Sequence, residues 1–138
     1  MELKLLEPFD IGKLLNIEDD IEEYIIEDRA SWIQFLSQRT SVENSNITVL
    51  AVMDEEDSIK AYTVIVDNRF PPFADSAVII YAWSGLGHIE NKKYFDEIKN
   101  WLEDQGYSEI ETYTRQPEKM KNFGFEETGF VKMRLTLG

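Results

Sequence analysis

The feature that most constrains this chain is a set of three closely spaced apolar runs in its middle. ITVLAVM (47–53) and IKAYTVIVD (59–67), joined by the polar DEEDS turn, carry the signature of a β-hairpin. SAVIIYAWS (76–84) follows and is nearly all apolar, as expected of a strand buried on both faces. Between the second and third runs, NRFPPFAD (68–75) reads as a loop, because Pro71 and Pro72 cannot continue a hydrogen-bonded ladder. Three successive strands of this kind commit the chain to a sheet, and the flanking segments have to cover its faces.

Those flanks have a different period. Ile17, Ile21, Tyr24 and Ile25, then Trp32, Ile33, Phe35 and Leu36, recur at three- and four-residue spacing. That is the stripe of one or two amphipathic helices, with the carboxylates turned to the other face. Upstream, LKLLEPF (3–9) reads as a first strand ended by Pro8, and Asp10 is placed to cap a short helix over IGKLLN (11–16). Downstream, Tyr94, Phe95, Ile98, Trp101 and Leu102 share one face of a helix that runs from Asn91 to a C-cap at Gly106. SEIETYT (108–114) alternates as a strand, PEKMKNF (117–123) is a short helix closed by Gly124, and FEETGFVKMRLTL (125–137) supplies one or two final strands around Gly129. The order β-α-α-β-β-β-α-β-α-β(-β) predicts an α/β (α+β) single domain over residues 1–138, a mixed twisted sheet with helices on both faces.

Composition narrows the function classes. The chain has no cysteine, so disulfides, thiolate metal sites and a cysteine nucleophile are excluded. Neither a metal-ligand cluster nor a Ser/His/Asp arrangement supports hydrolytic chemistry. Charges and a proline interrupt MELKLLEPFD where a signal peptide needs an apolar segment, and the longest apolar run, Ala77 to Trp83, is too short to span a bilayer. The expectation is a soluble, cytoplasmic protein without membrane contact. A net charge of −13 opposes direct binding to the nucleic-acid backbone. Residues 17–28, IEDDIEEYIIED, hold seven carboxylates and no base. Such a face suits cations, amines, a basic partner or mimicry of DNA; the plainer reading is a solvated helix face.

The segment NWLEDQGYSEIETYTRQPEKMKNFGFEETGF (100–130), set in this order of elements, resembles the GNAT superfamily of N-acetyltransferases. WLEDQGYSEIE is similar to the end of the family's acyl-CoA-binding helix and the strand after it. MKNFGFEETGF is similar to its closing helix, Gly-Phe and strand, where the glycine relieves a left-handed helix exit and the phenylalanine plugs the core. The resemblance implies acetyl-CoA as cofactor, with its pantetheine arm paired to the backbone of the fourth strand at Ile80 to Trp83. It implies a pyrophosphate held on the amides of a Gln/Arg-x-x-Gly-x-Gly/Ala loop at the next helix start. It also implies a tyrosine, four residues before the Gly-Phe, that protonates the leaving thiolate.

Counting back from Gly106-Tyr107 puts that loop on Leu86-Gly87-His88-Ile89-Glu90-Asn91. Leu86 then stands for the basic or amide residue, and Ile89 and Asn91 stand for the two glycines. Glu90 sets a carboxylate beside the pyrophosphate position, a like-charge contact costing on the order of a kcal/mol or more. Met120 occupies the tyrosine's place. With the loop displaced by a few residues, Gly85 and Gly87 form an anion nest to which Lys92 and Lys93 supply charge. The residues expected at an acyl-CoA are therefore Ala82, Trp83, Gly85, Gly87, His88, Asn91 and Lys92. His88 is the candidate base, set against the plainer reading of a surface loop residue. Tyr81, Trp83 and Tyr113 are placed to line a groove between diverging strands or to pack. Arg69, Phe70 and Phe73 flank the two prolines as a lid, a contact patch or a tucked loop.

The chain also resembles the compact GNAT-like proteins of tailed bacteriophages, which are short, often lack the glycine loop and end in a similar segment, here Arg115, Gly124-Phe125 and Leu135. Some of those are virion-associated or accessory proteins. The first expectation is thus a GNAT-fold binding or structural module whose acyl-CoA site is degenerate, with acetyl-CoA held weakly or not at all. The alternatives are an active N-acyltransferase acting on a cationic amine through a non-standard loop, and an acidic protein that captures a basic phage or host partner or mimics DNA.

Overall fold

The three central runs form the middle of a five-stranded sheet. The computed structural model describes residues 1–42, 45–70 and 74–138. Its strands β1 (Glu2–Leu5), β2 (Ile47–Met53), β3 (Ile59–Phe70), β4 (Ala74–Ser84) and β5 (Glu109–Thr112) lie side by side in sequence order. Successive pairs from β1 to β4 are antiparallel, whereas β5 is parallel to β4. A parallel neighbour requires a crossover, which helix α2 (His88–Asp104) supplies. The β3–β4 ladder extends to Phe70 and Ala74, through most of the segment expected to be a loop. Pro71, Pro72 and Phe73, on which the lid expectation rests, lie outside the described residues.

Alternation along the strands divides the core in two. Val49, Ala51, Tyr62, Val64 and Tyr81 face a layer made of a 3-10 helix (Pro8–Asn16) and α1 (Arg29–Thr40), packing against Ile11, Leu14, Trp32 and Leu36. Leu50, Ile65 and Ala77 point the other way, onto Ile98 and Leu102 of α2. Helices therefore cover both faces, as the order of elements requires. Arg69 of β3 stacks on the Tyr107 ring and donates to the Gln105 carbonyl, pinning the C-terminal end of α2 to the sheet. Gly106 (φ 91°) makes the left-handed exit of that helix.

Four further features depart from the sequence expectations. The first helix starts at Pro8 rather than after an Asp10 cap; Pro8 fills the first turn, and Asp10 pairs inside the helix with Lys13 at 2.9 Å. The stripe from Ile17 does not carry a continuous α-helix: residues 17–28 hold only a 3-10 turn (Ile21–Glu23), and α1 begins when the Asp28 carboxylate accepts from Ser31 N–H at 2.8 Å. The interruption has a cause, since the side chains of Asp19 and Asp20 turn inward to hydrogen-bond the sheet.

β4 is fully covered only in its first half, at Ser76 and Ala77; Ile80 is 45% exposed, and Ala82 is exposed too. Finally, among the described residues no strand follows β5 or the short helix α3 (Pro117–Lys121). The segment 125–138 has the alternation of a strand, but no partner edge hydrogen-bonds to it, and a strand is defined by its partner.

Candidate functional site

A fork in the sheet organises the site. β5 accompanies β4 only from Ser76 to Ile79, where Ile79 sits opposite Thr112. In the next step of the β3–β4 ladder, Ile65 faces Ile79 and Val64 faces Tyr81, which leaves Ile80 as an extra, bulged residue. A bulge bends its strand and raises the local twist, so β4 turns away at the point where pairing with β5 ends. From Tyr81 to Ser84 it is paired, among the described residues, with β3 alone, and one edge of its backbone is open.

The stretch after this open edge leads into α2, and its hydrogen bonds account for the loop amides. Gly85 N–H donates to the Lys60 carbonyl at 2.9 Å, and Leu86 N–H to Ser84 Oγ at 3.0 Å. Gly87 is the N-cap residue of α2, and its N–H donates to Oε2 of Glu90 at 3.2 Å. Asn91 is tied inward: its side-chain oxygen accepts from Ser84 Oγ, and its amide donates to the Leu86 carbonyl at 3.5 Å. Glu90 thus sets its own negative charge on the positive end of the helix, the position favoured by the macrodipole.

Neither loop glycine has positive φ. A Cβ on Gly85 would come within 3.3 Å of the Trp83 ring, so this glycine serves a close approach of chain to ring. His88 is the first helical residue and is exposed. Lys93 lies over the Tyr94 ring at 5.0 Å, while Lys92 borders a small cleft with Phe95 and Asn122. Ala82, Trp83, Gly85, Gly87, His88 and Asn91 therefore cluster along the open edge and the helix start, and Lys92 faces elsewhere. Tyr113 is exposed with Lys132 over its ring at 5.0 Å.

Behind the fork, on the α1 face, lies a polar cluster absent from the sequence reading. Tyr62 OH donates to Asp19 Oδ2 at 2.6 Å, and Tyr81 OH to Asp20 Oδ1 at 2.5 Å. Arg29 donates to Asp19 Oδ1 at 2.6 Å and pairs with Glu22 at 3.4 Å. Tyr24, Trp32 and Trp83 close around the two tyrosines, with ring centroids 5.8 to 6.2 Å apart, and Arg115 lies 5.0 Å over Tyr24. Burial first, and then the carboxylate acceptor, push both phenols well above their ordinary range. The hydrogen bond to Asp19 likewise holds the Arg29 guanidinium above its ordinary value. Both tyrosines are consequently fixed as donors, and Asp20, exposed overall, presents a carboxylate at the surface of an aromatic cluster. One signal for this was present in the sequence: Asp20 lies three residues after Ile17 and four before Tyr24, on the apolar stripe itself.

Among the described residues no group of His, Asp and Glu is arranged to hold a metal ion, and no helix is long and apolar enough to cross a membrane.

Four antiparallel strands, a parallel fifth, a bulge-driven fork and a helix that follows the forked strand define a mixed α/β sheet with one parallel crossover. A comparison of the sequence with protein-family models gives no match, and a comparison with curated proteins gives none. Solved structures do match over the whole length. A probable acetyltransferase aligns with 100% of this chain and 99% of its own at a TM-score of 0.77 and 11% identity. Ribosomal-protein-alanine N-acetyltransferase from Brucella melitensis biovar Abortus 2308 aligns with 99% of this chain and 100% of its own (TM-score 0.71, 11% identity). AAC(6')-Iy, in complex with a CoA-containing bisubstrate analogue, aligns with 99% and 98% (TM-score 0.73, 9% identity). The chain has the GNAT fold.

Proposed function

We propose that this chain is a GNAT-fold binding module in which the acyl-CoA site has become degenerate. The observation that carries the reading is the Glu90 carboxylate seated on the Gly87 N–H at the start of α2. An incoming pyrophosphate would have to displace it and would meet its charge. The remaining departures act in the same direction: Ile89 and Asn91 stand where the resemblance implies glycine, and Met120 where it implies a proton-donating tyrosine. With a net charge of −13, the module suits a partner with a basic surface, and it fits an accessory or virion-associated role.

Calorimetric titration with acetyl-CoA tests the reading. No heat is expected up to millimolar ligand, and micromolar binding overturns it. Glu90→Gly is expected to gain measurable affinity for free pyrophosphate; an unchanged titration would show that Glu90 is not what closes the site.

A second reading is favoured by the open edge of β4 beside the Asp20–Tyr81 hydrogen bond, which sets a carboxylate at the surface of the aromatic cluster. It is an N-acyltransferase for a cationic amine, an activity in keeping with the transferases whose fold it shares. The amine nitrogen would attack the thioester carbonyl, the C–S bond would break, and the thiolate would take up the proton released by the amine. Thiol release from acetyl-CoA with a polyamine acceptor decides between the two readings.

A further inference from the structure

Residues 17–28 make a contact across the mouth of the fork that neither reading of the site uses. The Tyr24 ring packs 5.8 Å from that of Tyr81, the first residue of β4 beyond the bulge. The Arg115 guanidinium, shortly past the end of β5 at Thr112, lies 5.0 Å over the same ring. Tyr24 therefore bridges the two diverging arms. Arg115 is exposed, and among the described residues no carboxylate lies within ion-pair distance of it, although the chain has 27 acidic side chains. What seats it is the aromatic face.

The face it covers has the chemistry of a cation site. Tyr24 is 52% exposed, while Tyr62, Tyr81 and Trp32 of the same cluster are buried, so Tyr24 is the ring a solute can reach. Asp20 accepts from Tyr81 OH with Oδ1, and among the described residues its Oδ2 accepts no hydrogen bond. Asp20 and Tyr24 both touch Tyr81, which sets an exposed carboxylate and an exposed aromatic face beside one another. That pair attracts a guanidinium or an ammonium group. Glu22, Glu23 and Glu27 are exposed on the same segment, and with a net charge of −13 they oppose an anion there. The guanidinium found on this face is the chain's own.

We infer that Arg115 is an internal occupant of a cation-binding face and closes the mouth of the fork from the α1 side. An alkylguanidinium or alkylammonium ligand binds by taking its place on the Tyr24 ring. The contact is self-inhibitory: it lowers the apparent affinity in proportion to the share of chains in which Arg115 is seated. The inference rests on the cationic amine of the second reading and supplies the regulation of its site.

The test uses the full chain and agmatine, which carries one guanidinium and one ammonium group, in titration calorimetry without acetyl-CoA. Arg115→Gln is expected to bind agmatine about two- to five-fold tighter than the unaltered chain, the factor a cation gains from an exposed ring. Equal or weaker binding by Arg115→Gln, or no heat from either protein up to millimolar ligand, overturns the inference. Loss of any cation raises the pull of an acidic chain on agmatine, so a charge-matched control is needed. Arg39→Gln removes another guanidinium, 5.5 Å over Phe35, and is expected to leave the affinity unchanged; a gain equal to that of Arg115→Gln overturns the inference. Tyr24→Leu/Arg115→Gln is expected to lose the gain, and a gain that persists shows that the ring is not what the two cations compete for. Thiol release separates this inference from the reading beneath it. Tighter agmatine binding without thiol release sinks the transferase and leaves the cation site standing. Thiol release with an unchanged Arg115→Gln affinity keeps the transferase and sinks the inference.

Discussion

Removing the Asp19 carboxylate is the most direct test of what holds the 17–28 segment to the sheet. The side chain has 0% exposure and accepts from Arg29, from Tyr62 OH and from Ile21 N–H. Asp19→Ala leaves the Arg29 guanidinium, itself only 17% exposed, without its main counter-charge, and its Nη1 is already buried without a partner. Deleting one member of a buried pair costs about 3–5 kcal/mol. The lower end applies because Glu22 remains 3.4 Å from Arg29 Nε, so the expected loss is about 3 kcal/mol. A chain of this length changes stability by about 0.3 kcal/mol per degree near its midpoint, which places the fall in Tm at about 10 °C. Urea and thermal unfolding followed by circular dichroism measure it. Asp19→Ala/Arg29→Met removes both charges together and is expected to recover much of the loss, because no charge is left stranded. A loss below about 1 kcal/mol, as for an exposed ion pair, refutes the reasoning. So does a double variant as unstable as the two single changes added.

The two buried phenols give a pH signature. Their folded-state pKa values are raised above the ordinary value of 10.0, so their contribution is complete below about pH 10 and is lost as pH climbs above it toward the folded-state values. Alkaline titration of the native protein is expected to leave Tyr62 and Tyr81 un-ionised until the chain unfolds, and Tyr62→Phe is expected to weaken this alkaline loss; ionisation of Tyr62 and Tyr81 in the still-folded protein as pH passes the ordinary value would refute it. Leu36 of α1 is 0% exposed at the centre of the first core, so Leu36→Ala is expected to cost about 2–5 kcal/mol in urea unfolding. Leu15→Ala, at a site 48% exposed on the neighbouring 3-10 helix, is expected to stay within about 0.5 kcal/mol, and equal losses would show that packing against the sheet is not what α1 contributes.

The sheet was legible because its evidence is local. The apolar runs 47–53 and 59–67 and the polar turn between them need only neighbouring residues to be read, and the stripe from Tyr94 to Leu102 marked α2 in the same way. The polar cluster was not legible because its partners are far apart in sequence: Asp19 meets Tyr62 across 43 residues, and Asp20 meets Tyr81 across 61. A window on residues 17–28 sets Asp20 among the apolar positions but names no partner for it, and it gives no sign of Asp19's role. The bulge at Ile80 was equally hidden, since a single unpaired residue leaves an apolar run looking continuous. At the C-terminus the pattern of 125–137 predicted one or two strands that the described residues do not form, because pattern supplies only one side of a ladder.

The loop between β4 and α2 separates what the fold dictates from what the side chains decide. The fork is a property of backbone topology, fixed by a bulge and by the length of β5, and it needs no ligand to form. The helix start inside the fork has orphan N–H groups whatever the protein does, and they must be answered by some acceptor. An acyl-CoA pyrophosphate is one answer, and the side chain three residues into the helix is another. In this chain Glu90 gives the second answer at 3.2 Å, and Asn91 is drawn to Ser84 and Leu86. Glu90 answers one of those N–H groups, that of Gly87, and sets a carboxylate at the helix start, so under the proposed reading an arriving anion has to displace that side chain and meets its charge.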